Sequence, residues 1–65
     1  MSPEEFITFS NLVLNYISNR NTVIIFDIVN YFKSCIITRS DVKSVLLWLK
    51  ASGKISIIDT LVIVK

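Results

Sequence analysis

Phe6, Phe9, Leu12, Val13, Tyr16 and Ile17 recur at intervals of three and four residues, the spacing that lines one face of an α-helix. Ser2-Pro3-Glu4-Glu5 stands in front of them as a helix start: a hydroxyl at the N-cap, proline at the first helical position, and Glu5 placed to close a capping box. Together these predict a first helix over about residues 3–18, ending at the polar run Ser18-Asn19-Arg20-Asn21. Thr22-Val23-Ile24-Ile25 is short and β-branched and predicts a brief strand. Ile28, Val29, Tyr31 and Phe32 then give a compact helical pattern from Asp27 to Lys33, which breaks near Ser34-Cys35. Thr38-Arg39-Ser40-Asp41 is a second capping box, and Val42, Val45, Leu46 and Leu49 form the buried stripe of the helix it opens. The opposite face of that helix carries Ser40, Lys43, Ser44, Leu47 and Lys50, and Gly53 supplies the left-handed residue that stops it. Lys54 to Ile58 and Leu61 to Lys65 are strand-like runs separated by Asp59-Thr60, a hairpin whose turn lacks the favoured glycine. The Ile57-Ile58 pair interrupts strict alternation within it.

This order of elements predicts one α+β domain over residues 1–65, with three helices, a short strand and a C-terminal β-hairpin. The chain has 65 residues, of which 52% are apolar, and its mean hydropathy is +0.63. A domain of this size makes a thin core, so apolar surface is expected to remain after folding, and self-association would absorb it. A membrane-spanning helix is not expected, because spanning requires ~20 consecutive apolar residues and polar positions punctuate every long window here. The acidic Glu4-Glu5 opening is unlike a signal peptide, so the expected location is intracellular, in the cytoplasm.

The chemistry-bearing residues are sparse. There is no histidine, and the single cysteine, Cys35, reads as a small buried side chain near a turn. No metal site and no cofactor are expected from this inventory. Glu4 and Glu5 serve a helix cap while Asp27, Asp41 and Asp59 are isolated, so no pair of carboxylates is spaced for acid–base work, and the chain is expected not to be an enzyme.

Seven Lys and Arg against five Asp and Glu leave a formal charge of +2. Lys33, Arg39, Lys43, Lys50, Lys54 and Lys65 all lie in the second half. The run Asp27-Ile28-Val29, the capped start Thr38-Arg39-Ser40-Asp41-Val42, then Val45, Leu46 and Leu49, and finally Ser52-Gly53-Lys54-Ile55 resemble the winged-helix branch of the helix-turn-helix superfamily over nearly the whole chain. Two departures stand out: the link Lys33-Ser34-Cys35-Ile36-Ile37 is longer than the usual turn, and the wing tip, Asp59-Thr60, carries no cation. The composition, rich in Ile, Val, Ser and Asn, is similar to that of small proteins of thermophilic archaea and their viruses.

The resemblance implies a small transcription regulator that places its third helix in the major groove of double-stranded DNA as a homodimer. It would read bases through Arg39, Ser40, Lys43 and Ser44 and hold phosphates through Lys33 and Lys50. Phe6, Phe9, Val13 and Tyr16 would form the dimer surface, and Phe9→Glu would then give a monomer. The alternative is a protein-interaction module, docking through Leu47, Trp48 or an open edge at Leu61–Val64. Against that alternative, Trp48 reads first as a core anchor behind the hairpin.

Overall fold

Each helix boundary follows from local chemistry that the structure, a computed structural model, makes explicit for residues 2–34 and 37–65. In α1, Pro3–Arg20, the Ser2 hydroxyl accepts from the Glu5 N–H at 3.2 Å while the Glu5 carboxylate accepts from the Ser2 N–H at 3.3 Å. The reciprocal pair satisfies two N–H groups that the helix start would otherwise leave open. Phe9, Val13 and Ile17, four residues apart, are the buried face. The helix runs two residues beyond its expected end and stops at Asn21, where the backbone leaves the helical region with φ 66° and ψ −56°.

β1, Thr22–Ile24, passes directly into α2, Ile25–Phe32. The sequence places the start of this helix at Asp27; it begins two residues earlier because the Ile25 N–H donates to the Thr60 carbonyl at 2.8 Å. A partner thirty-five positions along the chain thus satisfies the first N–H of a helix whose N-cap, Ile24, makes no side-chain hydrogen bond. The Cys35 expectation lies outside the described residues, as does Ile36 of the link.

In α3, Arg39–Ala51, the Thr38 hydroxyl accepts from the Asp41 N–H at 3.2 Å, and the Asp41 carboxylate accepts from the Thr38 N–H at 2.9 Å. The far end closes with the Lys54 N–H on the Leu49 carbonyl at 3.0 Å and the Gly53 N–H on the Lys50 carbonyl at 3.1 Å. Gly53 makes this possible with φ of 76°, a left-handed conformation that a side chain would strain.

β2, Ile55–Ile58, and β3, Leu61–Val64, form the expected hairpin, and β1 joins it in an antiparallel sheet ordered β1-β3-β2. Asp59 takes a φ of 55° and Thr60 does not follow it to positive φ, the sign pattern of a type II′ turn. The expectation of an open Leu61–Val64 edge is corrected: β3 is the central strand, paired with β2 on one side and, through Thr22↔Ile63, Val23↔Val62 and Ile24↔Leu61, with β1 on the other.

Val23, Val62 and Ile57 share one row and one face of the sheet, and against that face the three helices close a core containing Val13, Ile17, Ile28, Val42, Val45 and Ile55. Ile24, Leu61 and Ile58 form the neighbouring row on the opposite face and are exposed. This accounts for the broken alternation at Ile57-Ile58: one side chain packs partly buried against the core, the other joins an apolar row on the outer face. No helix among the described residues is long and apolar enough to cross a membrane.

Candidate nucleic-acid interface

The outward face of α3 is organised by its buried one. Val42, Val45, Leu46 and Leu49 face the interior, so at 100° per residue Ser40, Ser44, Leu47 and Ala51 become the outermost ridge. Arg39, Lys43 and Lys50 fall within about 40° of one another around the axis, on the flank beside α2 and β2, and span about 16 Å along it. All of these ridge and flank residues are exposed, and among the described residues no ion pair occupies the three cations. Lys43 and Lys50 border a shallow groove with Leu47, Leu46, Ile25 and Ile57. A second shallow groove joins Arg39 and Lys43 to Phe26 and Thr60 at the start of α2 and the hairpin turn.

The acidic residue at the head of α3 does not oppose this row. Asp41 lies on the far flank of the helix, roughly 160° or more from the cations. Its carboxylate is committed to the Thr38 N–H and hydroxyl, at 2.9 and 3.1 Å. Those two hydrogen bonds, the backbone one first, hold the carboxyl below its ordinary 3.8. Asp27 also faces away, into a depression lined by Tyr16, Arg20, Asn30 and Tyr31.

The structure therefore gathers Arg39, Ser40, Lys43, Ser44 and Lys50 on one exposed side of one helix. Lys33 is exposed too, but it sits at the end of α2 and is not part of the α3 row. The dimer surface expected on α1 needs correction at two of its four positions. Phe9 is 5% and Val13 0% exposed, because α1 spends this face on the domain's own core, and Phe6 and Tyr16 are partly covered as well. Trp48 is corrected in the opposite sense. It is 51% exposed and rests edge-on against Phe6, with ring centroids 6.2 Å apart, because its position lies on the α3 flank outside the stripe that enters the core.

Two exposed features escaped the sequence pattern. Phe26, 64% exposed, borders the cation row from the first turn of α2. At the end of α1, the Arg20 guanidinium lies 3.8 Å from the centre of the Tyr16 ring, which in turn packs 4.3 Å from the Tyr31 ring. The i, i+4 spacing of Tyr16 and Arg20 is a local signal for that contact; Tyr31 is supplied by tertiary folding. The described residues contain no group of His, Cys, Asp and Glu that could hold a metal ion.

Comparison of the chain with protein-family models, with curated proteins and with solved structures finds no match.

Proposed function

We propose that the protein is a winged-helix DNA-binding protein that lays α3 in the major groove, as a small regulator of transcription acting in the cell interior. The observation that carries the reading is the row Arg39, Lys43 and Lys50 beside a ridge whose leading residues, Ser40 and Ser44, are small and polar. Small side chains let the helix approach base edges closely, and a row of cations along one flank can follow the phosphates of one strand. With the cations on phosphates, the Ser40 and Ser44 hydroxyls are left to give or accept single hydrogen bonds at base edges. Three helices with a β1-β3-β2 sheet are compatible with this fold family.

The hairpin contributes little to the interface. Its turn is tied to α2 through Thr60 and Ile25 and presents Asp59 where phosphate contact would require a cation. Recognition consequently rests on α3. Because one copy offers few contacts, two copies would bind two half-sites.

Fluorescence anisotropy of a labelled random-sequence duplex, titrated at low and at moderate salt, tests the proposal without knowledge of the target. Salt-sensitive binding that weakens in Arg39→Ala and in Lys43→Ala is the expected result. Absence of binding by the folded protein at low salt would transfer support to the second reading, a protein-docking module. That reading draws on the exposure of Leu47 and Trp48, 62% and 51%.

A further inference from the structure

We infer that Leu47 makes the α3 surface selective for the 5-methyl group of thymine in the major groove, so that the preferred duplex is one presenting A·T pairs beneath this side chain. The inference rests on the DNA-binding reading and deepens it. Leu47 is 62% exposed on the outermost ridge of α3, one turn beyond Ser44. Lys43 and Lys50 stand one turn before and one turn after it and border the same shallow groove. Cations that bring both neighbouring turns against phosphates would press the Leu47 isobutyl group towards the base edges between the strands.

Leucine can neither donate nor accept a hydrogen bond. In the major groove, guanine presents N7 and O6, cytosine its amino group, and adenine N7 and its amino group. An isobutyl group covering any of these removes water and returns no partner. Thymine alone adds an apolar group, its methyl, which gains from being covered. The same leucine therefore rewards an A·T pair and penalises a G·C pair, while the neighbouring Ser40 and Ser44 hydroxyls remain tolerant of either.

The test measures binding by anisotropy to an alternating A·T duplex and to the same duplex with deoxyuridine in place of thymine, which keeps every hydrogen-bonding group and every phosphate and removes only the methyls. The expected result is binding about fourfold weaker for each covered methyl lost, the factor that corresponds to ~0.8 kcal/mol per buried methyl-sized group. Leu47→Ser should bind both duplexes equally and with unchanged salt dependence. Because Leu47 is exposed, circular dichroism should show this variant folded. Equal, salt-sensitive binding of thymine and uracil duplexes by the unaltered protein would overturn the inference and leave the DNA reading standing. A thymine preference that survives Leu47→Ser would also overturn it, assigning the preference to duplex shape. Binding to neither duplex, from folded protein at low salt, would overturn both.

Discussion

Thr38 and Asp41 hold the start of α3 because the side-chain oxygen of each accepts from the backbone N–H of the other, and Ser2 and Glu5 do the same for α1. Replacing the hydroxyl in Thr38→Ala removes the acceptor for the Asp41 N–H and should cost about 1 kcal/mol. In a domain of this length that corresponds to a melting temperature lower by roughly 4–8 °C. The carboxylates add a pH dependence of known sign. Hydrogen bonds from Ser2 hold Glu5 below its ordinary 4.5, and those from Thr38 hold Asp41 below 3.8. A carboxyl whose folded value is depressed binds its proton more readily in the unfolded chain, so the stabilisation is complete above the unfolded values and disappears as pH falls through the folded ones. Thermal melts should be flat in this contribution above about pH 5 and decline below it. The double variant Glu5→Gln and Asp41→Asn should show a shallower decline. Both caps are legible in the sequence because a cap is a contact between residues three apart, and no tertiary information is needed to place it.

At the scale of elements, what could be read depended on how far away the deciding partner lies. The stripe of α3 and its glycine stop are written in neighbouring residues. The start of α2 is not, because the acceptor that fixes it, the Thr60 carbonyl, comes from the hairpin turn. Nor is the central place of β3, which exists only because β1 pairs along its second edge. Trp48 and the α1 face failed in complementary ways: an amphipathic stripe identifies the apolar side of a helix without saying whether the same molecule or another covers it. Phe9 provides the sharpest check. As a dimer contact it would tolerate Glu at the cost of association, yet at 5% exposure it belongs to the core and meets Phe32 at 5.3 Å between ring centroids. Losing the ring alone costs about 3–5 kcal/mol, and a carboxylate buried without a partner adds to that. A domain of this length has a total stability of roughly 3–10 kcal/mol. Phe9→Glu should therefore unfold the chain, seen as loss of helical circular dichroism; a folded monomer would return α1 to the candidate interfaces.

The whole molecule divides its surface unevenly: the cations of α3 on one flank, the aromatic pair Tyr16 and Tyr31 with Arg20 at the end of α1, and the apolar row Ile24, Leu61 and Ile58 on the outer sheet face. A thin core leaves such apolar surface behind. Of these regions, only the first has the charge to meet a polyanion, and its size sets how many copies a DNA site must hold. Each neutralised phosphate lowers the slope of log K against log salt by about 0.9. If Arg39, Lys43 and Lys50 each reach one phosphate, one bound copy should give a slope near −2.7 and a pair near −5.4, and adding Lys33 would steepen these to about −3.6 and −7.2. For the proposed two-copy mode we expect about −5.4, measured by anisotropy on a selected target between low and moderate salt. In Lys50→Ala, each of the two copies loses one contact, so the slope should become shallower by about 1.8; a change of half that size would mean that a single α3 holds the duplex. The three cations on one helix flank thereby convert a geometric reading into a stoichiometry that a salt titration can count.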